Sequence, residues 1–433
     1  MERKMMKDLL KWKENPHKMP LLIQGARQVG KTYLALTFGK RHYKNTAYFN
    51  MESSSEIPAV FERDLNPERI ILELEAFSRQ SILKENTLII FDEIQACERA
   101  LTSLKYFAES GLPYHIIAAG SLLGVAVKRD NFSFPVGKVD MLYMHPMDFE
   151  EFLQAIGQEK ISNLIRKAYA NFSPLSLHDT AMDLYKTYLV VGGMPRAVQE
   201  YAEKHDFNFV TAAQKTLNDS FIADMAKYAT PQETNRIMAA WASVPAQLSK
   251  ENHKFQYRVI KSGARAYEYE SALDWLNAAG IIQKCIRVTE GRMPLSAYAE
   301  NEAFKVYMLD TGLLCSKFNI AANVVIHTPH SFDGFKGALA ENCICQALIA
   351  NGIIPYYWSS PGRAEVDFVF QDREGNILPL EAKSAGNVRS KSLRSYADIY
   401  KPIFSYRVSG KNFGYENGIK SVPLYAMFCI TES

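Results

Sequence analysis

Cysteine is scarce and never paired at metal-binding spacing. The chain of 433 residues has six, Cys97, Cys285, Cys315, Cys343, Cys345 and Cys429, and no CxxC. That excludes a zinc ribbon and offers no disulfide frame, so a reducing, cytoplasmic setting is the expectation. The nine histidines contain no HExxH, which excludes a zincin. No apolar run reaches the roughly 18 residues of a membrane span, so no membrane partner is expected. The first residues are charged and lack the apolar stretch of a secretory signal. Internal repeats and low-complexity tracts are absent too. Neither sign of charge dominates: the net charge of +3 is too mild to diagnose nucleic-acid binding by itself. What remains is ordinary globular composition, 47% hydrophobic and 22% charged, in a length that suits several domains.

Residues 1–15 read as a short charged helix. Leu21-Leu22-Ile23 is an apolar run that ends in a glycine loop, and a helix from Lys31 to about Lys40 follows. Residues 47–51 look like another strand. Pro67 opens a segment with Ile70, Leu72, Leu74 and Phe77 at helical spacing. Residues 88–91 and 114–119 are apolar strands. Strands without polar alternation are buried on both faces, as in a parallel sheet. The alternation of strand and helix predicts a three-layer α/β domain over 1–150. Residues 151–230 read as a helical segment, a lid, broken at Gly192-Gly193-Met194-Pro195. Residues 231–312 begin as helices and end in a hairpin, 281–288 and 305–309 around a turn at 290–292, which predicts a winged-helix-like domain. In 313–433 a helix over 335–351 precedes strands at 365–370 and 377–383.

The octapeptide GARQVGKT, Gly25 to Thr32, fits GxxxxGK[ST]. Gly25 and Gly30 let the backbone bend so that its N–H groups face phosphate oxygens, and the following helix adds its positive end. Lys31 should reach the β- and γ-phosphates, and Thr32 should ligate Mg²⁺. Asp92, at the end of the apolar strand 88–91, would hold the Mg²⁺ shell, and Glu93 would polarise the attacking water. The strand at 47–51 comes between the two motifs. Together with the adjacent glutamate it suggests the ATPase branch that carries an additional strand and a catalytic glutamate. Ser121, at the end of the strand 116–120, is placed either to sense the γ-phosphate or merely to begin a turn or cap a helix.

These phrases resemble the AAA-type ATPases of bacteria and archaea that carry a C-terminal domain of unknown function. PMDFEEF (Pro146 to Phe152), GGMP (Gly192 to Pro195), FKVYMLDTG (Phe304 to Gly312) and the segment 337–383 share the likeness. The resemblance implies ATP and Mg²⁺ as cofactors. Relatives tend to have arginine where this chain has Lys138; lysine offers a point charge without the bidentate fork. Arg129 and Arg196 are the candidates for an arginine finger.

Glu341 on a helix, Asp367 on a strand, and Glu381 and Lys383 two apart on the next strand form an order that looks like the PD-(D/E)XK nuclease fold. Three acids would hold a metal there and the lysine would position water. Glu365 shares the face of Asp367. Lys250, Lys254, Arg258, Lys261 and Arg265 alternate with Phe255, Tyr257, Tyr267 and Tyr269, either a DNA-contacting face or a solvated face over core aromatics. Three readings follow: an ATPase coupled to a nuclease-like or DNA- or partner-binding domain, a nucleotide-gated switch with negligible turnover, and an ATP-controlled nuclease. A homo-oligomer or a protein partner is compatible with each.

Overall fold

The structure is a computed structural model that describes residues 1–121, 134–250, 254–327, 333–360, 364–383 and 391–431. It divides into two compact units. One is Glu2–His145 with Ala278–Gly280; the other holds Pro146–Asn277 and Ile281–Ser433.

The first unit is built on five parallel strands: β1 (Leu21–Gln24), β2 (Asn45–Asn50), β3 (Thr87–Asp92), β4 (His115–Ala119) and β5 (Asp140–Tyr143), in the order β2-β3-β4-β1-β5. Every residue of β3 and β4 is buried, whereas β2 and β5, at the two edges, alternate. The apolar sequence runs therefore mark the centre of the sheet, as burial on both faces requires. The strand inserted between β1 and β3 is β4, which leads to Ser121. The strand that separates the motifs in sequence, β2, lies outside β3. Helices Lys31–His42, Pro67–Ser78 and Glu98–Glu109 connect the strands. Pro67 sits in the first turn of its helix, and the Asn66 side chain accepts from the N–H groups of Glu68 and Arg69, satisfying two donors that a helix start leaves open.

The second unit opens with five helices between Phe149 and Tyr228, continues with helices Pro231–Leu248, Tyr257–Ile260 and Ala266–Ala278, and ends on an eight-stranded mixed sheet. Its strands are β6 (Ile282–Val288), β7 (Ala299–Met308), β8 (Tyr356–Ser359), β9 (Glu365–Gln371), β10 (Ile377–Lys383), β11 (Ser405–Ser409), β12 (Gly414–Glu416) and β13 (Ile419–Pro423). Their order is β12-β13-β11-β10-β9-β8-β6-β7. The expected wing is thus corrected: β6 pairs with β7 but also, in parallel, with β8, so the hairpin is two strands of the C-terminal sheet. The turn expected at 290–292 is a longer connection holding a short helix, Leu295–Tyr298.

The family-like phrases of this unit are joints. In PMDFEEF, Asp148 and Glu151 form a capping box at a helix start and Glu150 pairs with Arg166. A Cβ on Gly193 would stand 1.9 Å from the Met147 carbonyl oxygen, and one on Gly192 would stand 2.2 Å from Asp310 Oδ1. Asp310 accepts hydrogen bonds from Gly193 N at 2.6 Å and Leu313 N at 2.9 Å. GGMP and the end of FKVYMLDTG therefore lock together through one buried carboxylate. Burial pushes that carboxylate up to about 6, against the pull of its N–H donors.

Candidate nucleotide-binding site and a lysine among acids

Gly25 and Gly30 both have positive φ, 144° and 100°, a region that side chains disfavour. A Cβ on Gly25 would lie 2.2 Å from the Met144 carbonyl oxygen, so this position has no room for a side chain. Between the two glycines the chain leaves β1 and enters helix Lys31–His42, with Lys31 as its first residue. The Lys31 ammonium is buried and donates to the carbonyl oxygens of Gly25 at 2.9 Å and Ala26 at 2.8 Å. Burial lowers its pKa to about 8; Glu93 and Asp92 act against that and Arg27 adds to it. The ammonium thus lies in the hollow of the loop, fed by acids across the sheet edge.

Asp92 ends β3. Its Oδ2 accepts from the Thr32 hydroxyl at 2.9 Å and from the Tyr48 hydroxyl at 2.8 Å, and its Oδ1 accepts from Glu93 N at 3.1 Å. Thr32 and Asp92 are therefore brought together as the motif spacing implied, by parallel strands with β4 between them. Tyr48 was missed. It belongs to an edge strand, and its only sequence signal is an aromatic one residue out of the buried alternation. Burial, reinforced by Asp92, raises its pKa to about 12, which keeps it a hydroxyl donor. Glu93 follows at φ 50°, an uncommon conformation for a residue with a side chain. Its Oε2 accepts from Gln95 Nε2 at 2.6 Å.

A second missed residue braces the loop. Arg3 donates to the Val29 carbonyl oxygen at 2.7 Å and to the His145 carbonyl oxygen at 2.6 Å, tying the residue before Gly30 to the segment after β5. Ser121 is buried just beyond β4, on the strand between those bearing the loop and Asp92. Lys138 does not approach the loop. It precedes β5, which runs parallel to β1, so a strand of four residues, roughly 13 Å, separates it from the loop edge. There it pairs with Glu109 at 3.3 Å. Arg129 lies outside the described residues. Arg196 is an exposed residue of helix Pro195–Lys204 in the other unit.

In the second unit, β9 and β10 are antiparallel with Leu380 opposite Phe368. The same register sets Glu381 opposite Asp367, so both side chains leave one face. Asp367 Oδ2 accepts from Ala382 N at 2.8 Å, and Lys383 Nζ lies 2.8 Å from Glu381 Oε1. The residue that sequence reasoning missed is Lys305 on β7. It is 1% exposed, with Nζ 2.8 Å from Glu365 Oε1 and 3.9 Å from Glu341 Oε2. The Tyr307 hydroxyl donates to the same Glu341 oxygen at 3.0 Å. Burial pulls the Lys305 pKa down, but Glu341, Asp367 and Glu365 outweigh it and hold the ammonium above the ordinary lysine range. Among the described residues no group of three His, Cys, Asp or Glu is arranged to hold a metal ion.

Part of the basic-aromatic stretch makes packing and local contacts, while Lys261, Arg265 and Tyr267 are exposed. Phe255 stacks on Phe304 at 5.3 Å, Lys250 Nζ and Arg258 Nε both donate to Gln256 Oε1, and Lys254 forms a backbone bridge to Lys305. Tyr267 is 72% exposed.

Asp367 titrates in a direction that can be tested. Burial raises its pKa to about 7; Glu341 and Glu381 add to this, while Lys305 and the Ala382 N–H oppose it. A carboxylate raised from about 3.9 binds its proton more tightly in the folded state. The stability it lends is complete below about pH 4 and lost as pH rises to about 7. The Asp367→Asn variant should therefore show a flatter fall in melting temperature from pH 4 to pH 7 than the wild type. Parallel curves for the two proteins would remove Asp367 from this role.

Residues 17–153 match the family model described as an AAA domain. This region has the parallel α/β architecture of a P-loop domain and is similar to that family. Residues 182–323 match a domain of unknown function, DUF8612, and residues 336–427 match another, DUF4143. The acidic face spans both of these, with Lys305 from the former and Glu341, Asp367 and Glu381 from the latter. No curated protein matches the chain in sequence. Among solved structures it is similar to the Walker-type ATPase PABY2304 of Pyrococcus abyssi, at 15% identity and TM-score 0.45 over 73% of this chain and 95% of that one. The Aeropyrum pernix ORC2 protein gives 13% identity and TM-score 0.38 over 80% and 93%. The Thermotoga maritima RuvB Holliday junction branch migration motor gives 12% and 0.33 over 68% and 91%. No helix among the described residues is long and apolar enough to cross a membrane.

Proposed function

We propose that the chain binds ATP with Mg²⁺ at the Gly25–Thr32 loop, hydrolyses it, and couples nucleotide state to a C-terminal region that engages DNA or a protein partner. The observation that carries this reading is the 2.9 Å contact of Thr32 Oγ1 with Asp92 Oδ2, beside an ammonium enclosed by the loop. A hydroxyl and a carboxylate paired in this way are oxygen donors of the kind Mg²⁺ takes, so the residues fit the ion. Mg²⁺ held there would neutralise charge on the phosphate oxygens. Lys31 would exchange its bonds to the Gly25 and Ala26 carbonyls for phosphate oxygens, Tyr48 would orient Asp92, and Glu93 would hold the attacking water. Ser121, at the end of the intervening strand, would meet the γ-phosphate.

The order of helix Asp333–Ala350, β8, β9, β10, helix Lys391–Tyr400 and β11, with Asp367 opposite Glu381, supports a nuclease-like descent for the C-terminal region. The buried Lys305 argues for binding over cleavage. A switch with negligible turnover is favoured by a separate contact, the hydrogen bond that ties Glu93 to Gln95.

The test is ATP turnover with and without DNA, in Mg²⁺ or Mn²⁺, scored in parallel for DNA cleavage. Lys31→Ala removes charge-assisted hydrogen bonds, each worth about 1.5–3 kcal/mol, and should weaken binding of a fluorescent ATP analogue at least ~10-fold. Equal affinity in a folded variant would displace the site.

A further inference from the structure

Carboxylates gather on one face of the C-terminal sheet, and two of their answering charges are lysines of different standing. Lys383 is two residues from Glu381 on the same strand, and is about one-third exposed. Lys305 comes from β7, beyond β8 and β6 in the sheet, and is 1% exposed with its ammonium between Glu365 of β9 and Glu341 of the helix. Burying an ammonium is unfavourable unless carboxylates surround it, and carboxylates crowded together need a cation in turn. A divalent ion brought to the same place would need oxygens about 2.0–2.6 Å away and would stand against a positive charge that cannot leave for solvent. One acceptor remains open. Glu381 is 4% exposed and its Oε2 has no hydrogen-bond partner, on the same sheet face as its cross-strand partner Asp367. A buried carboxylate oxygen left without a donor marks a place where a cation is still attracted.

We propose that Lys305 is the resident cation of this site, standing where a divalent metal would otherwise be held, and that Glu341, Asp367 and Glu381 take Mn²⁺ or Mg²⁺ only when its ammonium is removed. The acids then serve to lock β7 and the helix Asp333–Ala350 onto β9 and β10, and the face is a charge-balanced surface. A lysine does this differently from a metal: it is covalently fixed, cannot be exchanged, and offers no open position for a water. The inference is independent of how the nucleotide site is read.

The experiment uses the full chain without nucleotide, so that any Mn²⁺ held at Thr32 and Asp92 is common to every variant. Bound Mn²⁺ is counted by electron paramagnetic resonance in the wild type, Lys305→Met, Asp367→Asn and the double variant. Lys305→Met should bind one additional Mn²⁺ per chain and regain melting temperature when Mn²⁺ is added. The double variant should return to the wild-type count. A folded Lys305→Met protein with the wild-type count would overturn the proposal. The wild type and Asp367→Asn test it even if Lys305→Met fails to fold: equal counts are expected, and a lower count in Asp367→Asn would show that the native site already takes metal.

Discussion

Replacing Glu93 by glutamine is expected to leave ATP binding near its wild-type level and to lower turnover by about 10²–10⁴-fold. Glutamine keeps the size and one acceptor of the side chain but can neither take up a proton nor polarise water as a carboxylate does. The local geometry makes this residue the sensitive one. Asp92 is occupied by three donors, the Thr32 and Tyr48 hydroxyls and the Glu93 N–H, so its oxygens are held in place and are poorly placed for proton transfer. Glu93 stands one residue beyond, at φ 50°, where its side chain departs from the line of β3. Its Oε2 is bound by Gln95 at 2.6 Å, and that contact gives the experiment a second arm. If Gln95 holds the carboxylate away from the water, Gln95→Ala should raise turnover without changing ATP affinity. If Gln95 instead aims it, turnover should fall. Steady-state phosphate release together with equilibrium ATP binding separates these outcomes. Unchanged hydrolysis in Glu93→Gln would remove the residue from catalysis, and a wild type without turnover would transfer the reading to the nucleotide-gated switch.

The glycine loop and its geometry were legible in the sequence because the pattern is local. Gly25, Gly30, Lys31 and Thr32 fall within one loop and the first turn of a helix, and the apolar runs around them are central strands. Asp92 and Glu93 were legible for the same reason, at the end of a strand buried at every position. What was illegible depends on pairing across long stretches of chain. Nothing in the segment 115–119 says that it lies between β1 and β3, and the short edge strand β5 carries only a weak alternation. The hairpin of β6 and β7 reads as a free wing until its parallel pairing with β8 is known. Lys305 is the sharpest case. In sequence it is one lysine in a strand-like run. Only the order β9-β8-β6-β7 and the helix carrying Glu341 give it three acidic neighbours, Glu341, Asp367 and Glu365, in place of solvent. Arg3 was missed because an arginine near a charged terminus looks like any other, whereas in the fold it holds the carbonyl of Val29. The acids Glu341, Asp367 and Glu381 and the lysine paired with Glu381, Lys383, were found by their order along the chain, but Lys305, the cation beside Glu341 and Asp367, does not lie in that order.

Turnover per chain is expected to rise with protein concentration, or on addition of a partner, because the transferred phosphoryl group calls for a cation from beyond the loop. Such a cation, supplied in trans, is worth about 10³–10⁵-fold in other phosphoryl-transfer enzymes. Inside the loop stands Lys31, with Arg27 ahead of it acting by repulsion. Two of the other cations considered are engaged elsewhere. Arg3 is committed to the carbonyl oxygens of Val29 and His145. Lys138 is paired with Glu109 at the opposite end of the strands. A second copy of the chain, or a partner bringing an arginine to the ends of β1, β4 and β3, would complete the charge pattern around Lys31, Ser121 and Glu93. The measurement is phosphate release by the full chain over a dilution series, with oligomeric state followed in the same samples by light scattering. Specific activity should climb with association and level off when it is complete. Arg27→Ala provides the control. If Arg27 supplies the charge within its own chain, the variant will lose turnover equally at every dilution. Fast turnover that is constant down to concentrations at which the chain is monomeric would defeat the idea, since no second chain is then present to lend its cation.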